Sequence, residues 1–454
     1  MAPTALAMGE RWNNRALFAL LWPLIIDQIL AVTMGAADTI MVNKLGEYAV
    51  SGVNIIDNIN NLFIIGITAL CTGGAVVVSQ YIGRGEPGKS RDASKQLLYI
   101  TTLLSLFIML VAIILRRPMI TLFYGKIEQD VFDSAVVYFL ITALSYPFLA
   151  VYNANAALFR AAGNSKVPMW IAMLANVINI GGNAFLIYTM NLGVAGAALS
   201  TLLCRITAAI ITTVLLNRKT DSPVSLSQMT KVRLQMPLIR SILNIAVPSG
   251  LETSMFQIGR LLTQRIFPVF GTGVMAANAI ASVFNSFSFM PGMAFSMAII
   301  TIVGQCIGAG DYEEAKKQTR KIIKYTYITL ITIGILIYVF MYPLLGLFSL
   351  SPASQKMAII FLRIHCVTMA FVWPISFALP NALKAAGDAR WVMISATASM
   401  WIVRVSASYL FTFTFGLGPV GVWIAMAVDF VIRGIANTLR WRGGKWQEKK
   451  VISE

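Results

Sequence analysis

Apolar residues in this chain neither alternate nor form narrow stripes. They run on for long stretches, broken by brief polar segments. A bilayer core of roughly 30 Å takes about 20 residues of helix. Runs of that order fall at approximately 16–42, 53–81, 97–115, 134–157, 167–189, 194–216, 241–265, 274–306, 325–348, 357–382, 391–414 and 419–438. The pattern predicts an all-α polytopic membrane protein with twelve transmembrane helices and no room for a soluble catalytic domain. The opening residues are polar and short, unlike the apolar centre of a cleavable signal peptide, so the first run is expected to persist.

The pattern also repeats. An offset of 225 lays Pro23 on Pro248, Asp27 on Glu252, Gly46 on Gly271, Gln80 on Gln305 and Gly85 on Gly310. The offset becomes 224 where Leu158-Phe159-Arg160-Ala161-Ala162-Gly163 meets Leu383-Lys384-Ala385-Ala386-Gly387, and returns to 225 at Leu192-Gly193 and Leu417-Gly418. Six spans separate equivalent points, so both copies enter the bilayer in the same direction. The expected arrangement is two six-helix bundles related by a pseudo-twofold axis along the membrane normal, with alternating access by rocking of one against the other. The boundaries read as 1–216 for the first lobe, 217–240 for a polar cytoplasmic linker and 241–454 for the second lobe with its basic tail.

Composition agrees: 57% hydrophobic, 12% charged, mean hydropathy +0.73. The net charge of +17 is explained by alternate loops and the two ends, where Arg84, Lys89, Arg91, Lys95, Lys166, Arg218, Lys219, Lys231, Arg233, Lys316, Lys317, Arg390, Arg440 and Lys445 collect. The other loops hold little beyond Lys44, Arg116, Arg117, Lys126 and Lys356. Both termini are expected in the cytoplasm and the chain in a cell inner membrane. A cationic face against anionic lipid accounts for the charge without nucleic acid.

Ala37-Asp38-Thr39-Ile40-Met41-Val42 with Leu45-Gly46, the run from Gly73 to Gly83, Leu158-Phe159-Arg160-Ala161-Ala162-Gly163 and the run from Asn176 to Asn183 resemble the MATE (multidrug and toxic compound extrusion) family, in its bacterial NorM-like branch. The resemblance covers essentially the whole chain. It implies a monomeric secondary transporter that exports bulky amphipathic, often cationic, compounds in exchange for sodium ions or protons, with no cofactor beyond the coupling ion.

Polar residues inside the spans are the candidate chemistry, because an ionisable group there is costly and by default functional. Asp27 and Asp38 stand on one face of the first helix, about 16 Å apart along its axis. By the resemblance Asp38 is the acidic residue of the amino-terminal cation site, with Asn179, Asn183 and Thr201 as partners. That set suits a sodium ion, or Asp38 alone takes a proton; alternatively the two Asn only hydrogen-bond between helices. No other metal site is expected. Asn54, Asp57, Asn58 and Asn61 form a polar stripe on the second helix that cannot face lipid, and either lines the substrate cavity or packs on a neighbouring helix.

In the second lobe, Phe256 and Trp373 stand where some members of the family carry acids. Glu252, with Phe256 and Gln257, is expected to line the substrate cavity together with Asp27, Asp57, Asn54 and Asn58, or else Glu252 pairs with Arg260. Arg404 aligns with Asn179 and either pairs with Asp429 or binds an anionic group. The isolated Cys71, Cys204, Cys306 and Cys366, the single His365 and the lack of a phosphate-cradling glycine loop exclude a zinc site, a disulfide framework and ATP hydrolysis. An enzyme is not expected. The alternative function is a flippase or exporter of a lipid-linked or other large amphipath, which needs Arg205, Arg260 and Arg404 turned into the cavity.

Overall fold

The computed structural model describes residues 8–125, 127–218, 221–226, 234–348 and 350–452. The chain's first seven residues, Lys126 and much of the polar linker, Lys219, Lys231 and Arg233 included, lie outside the described residues. Among the described residues all regular structure is helical. Twelve rods follow in order: α1 (Asn14–Asn43), α2 (Glu47–Arg84), α3 (Pro87–Tyr124), α4 (Gln129–Leu144, then Tyr146–Ala161), α5 (Lys166–Asn183, then Ala184–Thr189), α6 (Gly193–Arg218), α7 (Met236–Gln264), α8 (Thr272–Gly308), α9 (Tyr312–Val339), α10 (Pro352–Phe371, then Pro374–Ala378 and Leu379–Ala385), α11 (Ala389–Ala398, Ser399–Val405, Ser406–Tyr409, Leu410–Thr414) and α12 (Val420–Arg442).

Among the described residues eight rods are long and apolar enough to cross a membrane on their own, and α4 and α10 make ten if each bent pair is one span. The other two differ from the sequence pattern for separate reasons. Polar residues from Arg240 through Glu252 to Gln264 are spread along α7, and α11 is cut into short pieces by two segments of π-helix.

The duplication is written into the backbone as well as the sequence. Gly46 and Gly271 precede α2 and α8 at φ 103° and 92°, and Gly85 and Gly310 follow them at φ 78° and 76°. These left-handed values are open to glycine without the Cβ clash other residues meet, which is why both copies keep glycine there. The bends are duplicated too: α4 turns by 45° before Tyr146-Pro147 and α10 by 61° before Pro374, since proline removes a helical donor and crowds the preceding turn. The π segment Ala184–Thr189 of α5 answers Leu410–Thr414 of α11, whereas Ser399–Val405 has no counterpart in α5.

The chain divides into two compact units, Asn14–Gly250 and residues 251–452 with 8–13. The division falls within α7, not in the polar segment 217–240 where the sequence suggests a boundary. The first half of α7 packs on α2 so closely that a Cβ on Gly73 would lie 2.5 Å from the Ile242 carbonyl oxygen. In the first unit Val53, Ile56 and Ile59 of α2 share a core with Phe139 and Tyr146 of α4 and Ala197 and Ala198 of α6. In the second, Phe361 stacks on Trp423 at 5.4 Å, and Gln318 of α9 donates to the Trp12 carbonyl oxygen at 3.1 Å. Large apolar side chains such as Trp22, Leu103, Phe107, Ile114, Tyr338 and Ile402 remain exposed, as a surface solvated by lipid requires.

Candidate functional site

In the first unit α1, α5 and α6 bring together the residues expected to hold a cation. The Asn183 amide donates to Asp38 Oδ1 at 2.5 Å, and the Asn179 amide, also facing Asp38, donates to Thr201 Oγ1 at 3.4 Å. Their i, i+4 spacing stacks them on one face of α5, and Ser200 fixes that helix by donating to the Asn179 carbonyl oxygen at 2.8 Å. Asn179 and Asn183 are fully buried, and the side-chain oxygen of each has no hydrogen-bond partner. A buried acceptor left unpaired is costly. Both amides turn their NH2 groups to Asp38 or Thr201 and keep an unpaired oxygen.

A second polar group adjoins it. Tyr138 donates to Asp57 Oδ1 at 3.4 Å, Tyr146 donates to Asn60 Oδ1 at 2.5 Å, and Arg205 donates to Ser145 Oγ at 2.6 Å. The break in α4 at Ser145 turns these side chains inward. Asp57 and Arg205 both act electrostatically on Asp38, and Arg205 acts on Asp57. Among the described residues Arg205 is in no ion pair with either carboxylate, its guanidinium being held by Ser145. Asn54, Asn58 and Asn61 are exposed, Asn58 donating to the Asn54 carbonyl oxygen at 2.9 Å, so the stripe on α2 is open except at half-buried Asp57.

Asp27 and Glu252 are placed differently from Asp38. Arg160 of α4 grips Asp27 Oδ2 at 2.9 Å, and Lys384 of α10 grips Glu252 Oε2 at 2.6 Å. The partner of Glu252 is thus Lys384 rather than Arg260, because α10 carries Lys384 to it. Each unit neutralises its own acid, and the pairs are related by the repeat. Lys384→Ala should strand a buried carboxylate and lower stability by about 2 kcal/mol, read as a lower thermal unfolding midpoint. The double change Glu252→Gln with Lys384→Met should recover most of it, and no recovery would show that Lys384 acts by packing alone.

The second unit carries arginines within its spans, and one of them, Arg404, stands where the first has the amide of Asn179. Phe256 lies under two of them, Arg404 at 5.5 Å and Arg433 at 5.1 Å from its ring centre. Trp373 stacks between Phe377 and Phe289 at 5.4 and 5.3 Å. Asp429 accepts from Ser399, but its other oxygen is 3.9 Å from Arg404 Nη1, too far for a hydrogen bond. The pair expected from the sequence is present but loose. Gln257 is half-buried on α7.

The MatE family model matches residues 23–185 and 245–410. The chain belongs to the MatE family. Among relatives of this MatE protein, the "Uncharacterized transporter YisQ" of Bacillus subtilis is 26% identical over 441 residues, covering 96% of this chain and 95% of its own. A "Probable multidrug resistance protein NorM" of Thermotoga maritima is 26% identical over 461 residues, covering 97% and 94%. A solved crystal structure of MATE in the straight conformation superposes with a TM-score of 0.89 at 19% identity, covering 96% of this chain and 97% of that one. The twelve-span, two-bundle fold and the multi-pass membrane character expected from the sequence are those of the family.

Three residues that meet these polar groups in the MatE protein carry no sequence signal of their own. Tyr138 and Tyr146 read as ordinary aromatic residues in an apolar run, and Arg433 as part of a basic end. Lys384 was findable, since it is the repeat partner of Arg160 just as Glu252 is that of Asp27.

Proposed function

We propose that this MatE protein is a secondary active efflux transporter of bulky amphipathic compounds, working by alternating access and coupled to a monovalent cation at Asp38, Asn179, Asn183 and Thr201. The observation that carries the reading is the Asp38 carboxylate beside two buried amides whose side-chain oxygens have no hydrogen-bond partner, with no ion pair to Asp38 among the described residues. A carboxylate, amide oxygens and a hydroxyl are hard ligands suited to sodium. A proton on Asp38 would balance the same charge and leave the amide oxygens unpaired, so sodium is the reading the donor set favours. Its entry would require the Asn183 amide to turn its oxygen, in place of its NH2 group, toward the ion.

Both termini lie in the cytoplasm in this reading, and the membrane is a cell inner membrane. The lipid-linked flippase is the second reading; the commitment of Arg205 to Ser145 weighs against the three-arginine cavity it needs. The experiment is efflux of a fluorescent amphipath from proteoliposomes under separately imposed sodium and proton gradients. Sodium-driven efflux is the expected result. Efflux driven only by protons would make Asp38 a protonation switch, and no gradient-driven efflux would defeat the transporter reading.

A further inference from the structure

Laid on the first unit by the repeat, the second unit has a cavity where the cation site should recur. It is about 230 Å³ and is lined by Arg260, Thr263, Ser282, Asn285, Ser286 and Arg404, among others. At the offset of 225, Thr263 answers Asp38, Ser282 answers Asp57, Asn285 answers Asn60 and Arg404 answers Asn179. Both carboxylates are gone and a guanidinium has arrived. The same place in the second copy has the opposite polarity.

The charges around it do not cancel. Arg260 and Arg433 both act electrostatically on Arg404, against a single acid, Asp429. Arg260 has no ion pair among the described residues. Arg404 is 6% exposed, yet its Nε and Nη1 have no hydrogen-bond partner. It is held between the Phe256 and Phe430 rings, with its charge centre 5.5 and 5.8 Å from their centres, and its direction is therefore set before any ligand arrives. Unpaired guanidinium donors inside a membrane span call for an anion, and a planar fork of N–H groups matches the oxygens of a carboxylate or phosphate. The hydroxyl of Ser282 and the amide of Asn285 add further donors to the lining, whereas the Ser286 hydroxyl donates to the Ser282 carbonyl oxygen at 3.0 Å.

We infer that this cavity binds an anionic group, a carboxylate or a phosphate, carried by the transported amphipath. The inference rests on the efflux reading and narrows it: the cargo is anionic or zwitterionic rather than a simple organic cation. A cavity of this size receives the acidic end of such a molecule and leaves the rest outside it. Arg404 and Arg260 contact the acid, and Arg433, which meets the same Phe256 ring, adds its positive field.

The test uses the full-length purified protein in nanodiscs and a matched pair of rhodamine dyes, one with a free carboxylate and one its methyl ester, with fluorescence polarisation giving each Kd. The free carboxylate should bind about tenfold more tightly than the ester, as for a charge-assisted bidentate contact exchanged for none. Arg260→Gln, at a cavity-lining position without an ion pair among the described residues, should reduce that ratio to about threefold or less. Thr263→Asp, which restores the acid of the first copy, should abolish or invert it. Equal binding of the two dyes, binding of neither, or a preference that survives both substitutions overturns the inference. Efflux of the same dyes from proteoliposomes is scored separately. A carboxylate preference without gradient-driven efflux defeats the transporter reading and leaves the anion site standing, and efflux without the preference does the reverse.

Discussion

Asp38→Asn is expected to abolish gradient-driven efflux, to about 1% of wild type or below, in a protein that still folds. A cation beside a carboxylate gains about 4 kcal/mol at 4 Å in surroundings of intermediate polarity, and each 1.4 kcal/mol is tenfold in affinity. Asparagine keeps the shape and can still meet the Asn183 amide through its own oxygen, so the loss falls on the coupling ion and not on the helix contact. The check is paired: efflux under a sodium gradient, and the thermal unfolding midpoint of the same preparation. Sodium should raise that midpoint in the wild type, because a ligand that binds only the folded state stabilises it, and should leave the Asn variant unmoved. A variant that pumps normally under a sodium gradient would remove Asp38 from the mechanism.

Gly421→Val should prevent accumulation of folded protein or lower its stability by about 3 kcal/mol or more, at the upper end of what overpacking costs. A Cβ at Gly421 would stand 2.8 Å from the Phe411 carbonyl carbon and from the Thr412 nitrogen, so α12 meets the end of α11 backbone to backbone. A side-chain neighbour can change rotamer, whereas a backbone neighbour must move its whole segment. Gly196, the repeat partner, makes the same approach to Leu186 at 3.0 Å. Gly196→Val should therefore be harmful but less so, and expression with thermal unfolding orders the two. Equal tolerance at both sites would mean that the helix ends shift freely.

Much of this was readable before any coordinates. Span positions follow from apolar runs because lipid leaves a chain few other options, and the repeat follows from glycines whose backbone conformation excludes other residues. That Asp38, Asn179, Asn183 and Thr201 stand together was legible through the family resemblance, with the helical spacing of the two Asn as independent support. The ion pairs were not. Asp27 and Glu252 look like free acids in a span, and only the path of α4 and α10 brings Arg160 and Lys384 to them. The compact units divide within α7 and not at the polar linker, and the first half of α7 packs on α2, Gly73 against Ile242, through residues distant in sequence. Arg404 stood out as anomalous, but its place beside Arg260 in one cavity required the fold.

The π segment Ser399–Val405, which α5 lacks, coincides with a difference in length between the copies. From Gly387 to Gly418 the second copy has one residue more than the first has from Gly163 to Gly193. A residue inserted into an α-helix rotates everything beyond it by about 100°, enough to misdirect a whole packed face, unless one turn widens to absorb it. The extra residue in α11 is stored in such a turn, and Arg404 lies inside it. An insertion normally lethal to a buried helix could thus persist after the gene doubled, at the one stretch where the second copy exchanged an amide for a guanidinium. Gain of length and change of ligand would then have been a single evolutionary step, and deletion of one residue from 399–405 is its reversal.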